Sequence, residues 1–442
     1  MERKDFTEMD ITKAIRYIAL PSVVGMFFTT LYNIVDMFWV GRLGYEQIAA
    51  VALFGIFFEF AIIFNEVIGV GSVALIARHY GAKNYKRVNE VVKQTLFLKL
   101  FIASIFCLVG VFFVEYILIA LGAQGDTILY GISYGRVMSF GFIFLFSALT
   151  LFTAMRGVGD ARTPMKILIV SNILNMILDP IFIFGCNMGI TGAALASVLS
   201  QMTIFGIGIY LITTGRHIVE ITTKIEFDFK TMKTMFFIGL PTGVETSVRN
   251  FTNMISIRII AGFGMTYIAG FQIFFRLVGI AIIPLFGLII ACQTLVGHNL
   301  GAGKPEQAEK TALKSGYMGV LAMVVIGVVY FIFSQEFVSF FSSAEEVIQA
   351  GSSAFRIISP FLVFAGFYFP LSGAFFGSGD TKPPMVITLV TAFCFQIPVM
   401  LIASETMGAN GVFLAFGSSF LVGSCIMALW FFRGKWKQKK LE

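Results

Sequence analysis

The sequence predicts an all-α polytopic membrane protein of twelve transmembrane helices, arranged as two parallel six-helix repeats. Composition is the first reason. Of 442 residues, 57% are apolar and only 13% are charged, against roughly 25% charged in an average soluble domain. A spanning helix needs about 20 mostly apolar residues, and twelve such stretches take up nearly the whole length, leaving no room for a soluble catalytic domain. The other two reasons are the one-sided placement of Lys and Arg and an internal repeat.

The first span, residues 15–41, follows a charged segment, MERKDFTEMDITKAIRY, and has no small-residue cleavage site, so it is expected to be a retained helix and not a signal peptide. The second, 47–77, runs to a GAKN turn, the third covers 92–121, and the fourth, 129–155, stops at GVGD. Pro164 opens the fifth, 164–185, since proline suits the first turn of a helix; the sixth is 190–214. Residues 215–230 are too short to fold alone and read as a cytoplasmic tether. Spans at 232–261, 266–297, 313–341, 353–376, 384–403 and 411–433 complete the second half. The expected domains are therefore an N-terminal bundle, 1–214, and a C-terminal bundle, 231–442.

With the joints assigned alternately to two sides, the side holding both termini carries 25 of the 32 Lys and Arg, and the other side carries Arg42 alone. This positive-inside bias places both termini in the cytoplasm of a multi-pass protein of the cell membrane. It also accounts for the +7 charge without a nucleic-acid partner. Five widely spaced cysteines form no CxxC pair or metal-ligand set and are expected to be free thiols packed in helices. His79, His217 and His298 fall at helix ends or in joints, where solvated polar residues sit.

Sliding the sequence on itself by 220 residues aligns the halves without a gap for about 145 positions. Leu20 and Pro21 meet Leu240 and Pro241; Asn33, Gly44, Ala49 and Phe54 meet Asn253, Gly264, Ala269 and Phe274; GVGDARTPM at 157–165 meets GSGDTKPPM at 377–385. Six helices per copy is even, so both copies enter from the same side, the parallel arrangement of alternating-access carriers. The two GxGD motifs also occur in intramembrane aspartyl proteases. Here, however, a cation and proline follow each Asp (Arg162 and Pro164; Lys382 and Pro383), which marks Asp160 and Asp380 as cytoplasmic turns. No catalytic pair is found at one depth, and no enzyme activity or cofactor is expected.

A charge inside a span costs a few kcal/mol and needs a pairing or functional reason. Glu245 and Arg249, four apart, read as a structural ion pair. Glu59 and Glu66 share one face of the second span, with Arg258 or Arg276 as candidate partners. Asp36 and Asp179 have no cation within a turn. At about 1.5 Å per residue, Asp36 lies roughly 30 Å from Arg16 and Asp179 roughly 22 Å from Pro164. Both belong in the outer half, with Asn175 one turn inward and Ser197 at a similar depth. Two carboxylates, an amide and a hydroxyl suit either a Na⁺ site of hard oxygens or a proton site shared by two acids. The second copy offers Ser256 opposite Asp36 and no acid in FCFQIPV, 393–399, so ion coupling is expected in the first half. Tyr32, Asn33, Met37, Glu245 and Tyr368 are candidate substrate-lining residues, on a Phe- and Met-rich surface suited to amphipathic cations.

The duplicated halves, LPSVVGMFFTTLYNIVDMFWVGRLG (20–44), the GAKN and GAGK turns, RGVGDARTP and FGSGDTKPP, and NMILDP (175–180) together resemble the multidrug and toxic compound extrusion (MATE) family over essentially the full chain. The resemblance implies a V-shaped pair of bundles and an antiporter that exports cationic drugs or metabolites against inward Na⁺ or H⁺. It implies a first-half cation site at Asp36, Asn175 and Asp179, a weaker match at Ser197, a helix bend at Pro21 and a cavity tyrosine at Tyr32. The Na⁺-coupled branch carries an acid on its tenth helix, whereas FLVFAGFYFPLSGAFFGSG (361–379) has none, so the pattern is closer to the DinF-like branch. The expected partners are amphipathic cations and membrane lipids around a monomer. The alternative is a flippase for lipid-linked precursors, which a more cationic cavity would favour.

Overall fold

A computed structural model describes residues 4–219 and 227–441; the 220–226 part of the expected 215–230 tether lies outside the described residues. The chain is helical throughout the predicted spans. The first half comprises α1 (Ile11–Gly41), α2 (Tyr45–Gly81), α3 (Tyr85–Ala120), α4 (Asp126–Gly157), α5 (Arg162–Pro180) and α6 (Ile190–Thr213). The second comprises α7 (Phe229–Ala261), α8 (Met265–Ala281), α9 (Ile283–Gly301), α10 (Pro305–Ile332), α11 (Ser334–Ser339), α12 (Glu345–Ile358), α13 (Leu362–Ser378), α14 (Lys382–Val390), α15 (Ile397–Met407) and α16 (Ala409–Phe432).

Among the described residues, eleven helices are long and apolar enough to cross a membrane. The twelfth expected span, α7, has 33 residues but carries Lys230, Lys233, Glu245, Arg249 and Arg258, which lower its hydropathy. Prolines, which lack the N–H and crowd the preceding turn, explain where several predicted spans divide, although the break between α10 and α11 at Phe333 has none. Pro284 stands in the first turn of α9, and Pro360 in the 3₁₀ turn between α12 and α13. After Pro180 the fifth span continues as a π-helical turn, Ile181–Gly185. A second π turn, Thr391–Gln396, joins α14 to α15 just ahead of Pro398. Several spans also begin earlier than hydropathy suggests. α3 starts at Tyr85 and not 92, because Asn84 caps it by accepting a bond from the Arg87 N–H at 3.2 Å.

Contacts divide the chain into two compact units, Met1–Asp5 with Leu20–Gly239, and Phe6–Ala19 with Leu240–Glu442. The division therefore runs through α1 and α7, one residue ahead of Pro21 and of Pro241, and not through the 215–230 tether. Close backbone packing ties the start of α7 to the first unit. A β-carbon at Gly71 would lie 2.0 Å from the Met235 carbonyl oxygen, and one at Gly239 would lie 1.6 Å from that of Val67. The segment Phe6–Ala19 is held in the second unit, where Phe6 packs on His298 and the Lys304 Nζ donates to the Thr7 carbonyl and hydroxyl at 3.3 and 3.2 Å. The first unit is filled by an aromatic core that includes Phe54, Phe57, Phe106, Phe142 and Phe146; the second is centred on Tyr368, Phe375, Phe431 and Trp436.

Both GxGD segments are turns, with Gly159 and Gly379 at φ 85° and 76°. Asp160 Oδ1 accepts the Arg162 and Thr163 N–H groups at 3.0 and 3.1 Å and so caps α5. Its Oδ2 bonds to His217 Nε2 at 3.3 Å, while His217 Nδ1 accepts the Val219 N–H. The histidines are thus not the solvated groups their joint positions suggest, for His217 and His298 are buried. The cysteines are free as expected, yet Cys186, Cys394 and Cys425 are exposed.

Burial alone would raise the Asp160 carboxyl, but the hydrogen bonds from His217 and Thr163 outweigh it and hold the group below its ordinary range. A carboxyl depressed in the folded state stabilises above its unfolded pKa, and that contribution fades as pH falls through the folded value. Asp160→Ala is expected to cost about 2 kcal/mol near neutral pH. In thermal unfolding, the gap between wild type and variant should narrow below the ordinary carboxylate range near pH 4.

Candidate functional site

The first unit brings Tyr32, Asp36, Asn175, Asp179 and Ser197 together on α1, α5 and α6. Two cross-helix bonds hold the frame: the Ser171 hydroxyl donates to the Ser200 carbonyl at 2.8 Å, and the Asn172 Nδ2 to Thr29 Oγ1 at 3.3 Å. Asn175 and Asp179 are one turn apart on α5 and both buried, while Ser197, also buried, faces them from α6. Its hydroxyl takes the Asn175 Nδ2 at 3.5 Å and shares a 3.2 Å bond with the Tyr32 hydroxyl. Across from α5, the half-buried Asp36 carboxyl of α1 lies within hydrogen-bonding reach of Asp179.

The unmet needs of this cluster are all of one kind. Both carboxylate oxygens of Asp179 and the amide oxygen of Asn175 are shielded from solvent, and no donor among the described residues reaches them. Buried acceptors without donors are costly, and two facing carboxylates repel unless a cation or a shared proton lies between them. Three orphan oxygens beside Asp36 therefore fit either a hard cation, which takes oxygen ligands, or a proton. No group of three or more His, Cys, Asp or Glu suited to a metal occurs among the described residues. Asp179 also directly precedes Pro180 and the π turn, a distortion that recurs at functional sites.

The charges of Asp36 and Asp179 reach Tyr134 of α4, which is buried. Sequence reasoning missed Tyr134, since a tyrosine in an aromatic-rich span carries no signal until the tertiary fold sets an acid beside it. Of the other candidates on α1, Asn33 and Met37 are exposed and Pro21 is half-buried within the helix.

Glu245 and Tyr368 meet in a separate cluster of the second unit. Glu245 pairs with Arg249 on α7, as the four-residue spacing predicts, and the Arg249 guanidinium lies 5.5 Å from the Phe369 ring centre. The Tyr368 and Thr388 hydroxyls share a 3.1 Å bond, and Thr388 is also within reach of Glu245. Here the buried acid has a resident cation, whereas among the described residues no ion pair is seen at Asp36 or Asp179.

The MatE family model matches residues 21–181 and again 241–402, once on each half. The chain is similar to the probable multidrug resistance protein NorM of Thermotoga maritima, with 26% identity over 437 residues covering 97% of this chain and 94% of that protein. Among solved structures, it is similar to MATE in complex with MaL6, with 26% identity, TM-score 0.92 and 98% of each chain covered. It is also similar to a multidrug resistance MATE family transporter of the MOP superfamily in an outward-facing conformation, with 25% identity, TM-score 0.93, and 100% of this chain and 99% of that one covered. The repeated match, the full-length likeness and the all-helical membrane fold agree: this chain belongs to the MatE family and is a multi-pass membrane transporter, not an enzyme.

Proposed function

We propose that this transporter exports amphipathic organic cations and other drug-like molecules across the cell membrane in exchange for inward Na⁺ or H⁺. The names of its relatives support multidrug export. The observation that carries ion coupling is the Asp36 and Asp179 pair, with three buried acceptor oxygens on α5 that no donor among the described residues reaches. With both termini cytoplasmic, this site belongs to the outer half, where Na⁺ or a proton enters from outside. Neutralised, the two acids no longer repel, α1 draws toward α5 and bends near Pro21, and the substrate is released outward. Coupling needs unequal ion affinity in the two conformations, and movement of Asp36 on the bending α1 against Asp179 on α5 supplies it.

The test is ethidium uptake into inverted vesicles under a Na⁺ gradient and a pH gradient imposed separately. Uptake under one of them names the coupling ion. Ser197→Ala, which removes the hydroxyl that steadies Tyr32 and Asn175, is expected to raise the half-saturating concentration of that ion about tenfold with transport retained at saturation.

The second reading, export of anionic lipid-linked precursors, is favoured by the exposure of Arg258 and Arg276 on α7 and α8. Absence of ethidium uptake under either gradient, with folded protein in the vesicles, would support it.

A further inference from the structure

Glu66 stands exposed in the interior of α2, and Glu59, two turns toward the outer end on the same face, is exposed as well. Hydrocarbon does not accept a carboxylate, so an ionisable side chain inside a span faces a wetted space or a polar partner. Behind this face, Lys99 of α3 is only 1% exposed. Its Nζ lies 3.5 Å from the point a β-carbon would occupy at Gly69, and Thr153 Oγ1 lies 3.9 Å from the same point. Gly69 is one turn from Glu66, at i,i+3, so the ammonium approaches the stretch of α2 that carries the acid. The Glu66 charge acts favourably on Lys99, and that of Arg156 acts unfavourably. The sequence offered second-half arginines as partners for Glu66; within the first unit, Lys99 comes into the range of its charge.

The duplication shows that packing does not require this group. At the 220-residue offset, Glu66, Lys99, Thr153 and Arg156 correspond to Phe286, Gly319, Gly373 and Phe376. In the second copy, glycine at 319 lets α10 and α13 touch, with its would-be β-carbon 2.1 Å from the Gly366 carbonyl oxygen. The first copy instead places a lysine at this position, buried behind an exposed carboxylate. A buried ammonium is costly without an opposite charge close by. Here one partner faces out.

We propose that Glu66 recognises the cationic group of the exported molecule, with Lys99 as the resident counter-charge that the arriving cation replaces. The inference rests on the cation-export reading and names the substrate chemistry of the inner half. One carboxylate backed by an ammonium cannot give a hard ion its several oxygen ligands. A weakly hydrated quaternary or delocalised cation needs only a single counter-charge and apolar or aromatic contact.

The test is equilibrium binding of ethidium and tetraphenylphosphonium to the purified full-length chain in lipid nanodiscs, for wild type, Glu66→Gln, Lys99→Met and the double variant. Glu66→Gln should weaken binding about fivefold. Lys99→Met should tighten it, because the carboxylate loses its internal competitor, and the double variant should bind like Glu66→Gln. Opposite shifts in two single variants cannot arise from general loss of folding. Wild-type affinity in Glu66→Gln, weakening in both single variants, or no cation binding by the wild type would each overturn the proposal. Vesicle uptake separates the two claims: binding that follows this pattern without gradient-driven uptake would refute the antiport reading and leave the role of Glu66 standing.

Discussion

Asp36→Asn abolishes gradient-driven ethidium uptake into inverted vesicles, whichever ion drives the wild type, and leaves thermal unfolding of the purified protein unchanged or slightly raised. The substitution keeps the shape of the side chain and removes one of two facing carboxylates. An amide cannot take up a proton, and it gives a cation one neutral oxygen in place of an anionic carboxylate. Like-charge repulsion with Asp179 disappears at the same time, so no stability is lost. The site is then permanently in its neutral state, and the ion gradient has nothing on α1 to act on. Equilibrium binding of ethidium, where Asp36 plays no proposed part, should persist. Full concentrative uptake by the variant would sink the assignment of Asp36.

Gly239→Leu is expected to have the largest effect on stability. Even the first atom of a side chain at this position would fall 1.6 Å from the Val67 carbonyl oxygen, so the start of α7 must separate from α2. Overpacking of this kind costs about 3 kcal/mol or more when the obstacle is backbone that cannot rotate away. Gly71→Leu, with the Met235 carbonyl oxygen 2.0 Å from its β-carbon, should act alike. Gly206→Ala on α6 is the control, since nothing lies within 4 Å of the added carbon; it should be neutral or gain up to about 1 kcal/mol from helix propensity. Thermal unfolding of the three variants in one detergent decides the point. A Gly239→Leu protein as stable as wild type would show that the α2 and α7 contact is not tight.

The long-period features of this protein were legible in its sequence because they are one-dimensional. Span length and the 220-residue repeat each follow from the order of residues, and the membrane converts them directly into helices and their pairing into two copies. The same holds for local chemistry: the Glu245 and Arg249 pair follows from helical spacing, and the GxGD turns from glycine and proline. Helix starts were less legible, for polar opening turns such as YKRVNEV in α3 have the composition of a joint and differ only in being capped. Depth arithmetic could set Asp36, Asn175, Asp179 and Ser197 at one level, but azimuth around a helix relative to its neighbours is not written in spacing.

Sequence alone determined the membrane class, the duplicated six-helix plan and the residues whose buried polarity needs a reason, since burying a charge in a bilayer is costly wherever the chain goes. Tertiary structure decided what depends on which helix faces touch. It brought Tyr32 to Ser197, left the oxygens of Asp179 and Asn175 without donors among the described residues, buried His217 against Asp160 and drew the division of contacts through α1 and α7. Those outcomes come from side-chain and backbone contacts over distances of a few ångströms between residues far apart in the chain, which packing sets and periodicity does not.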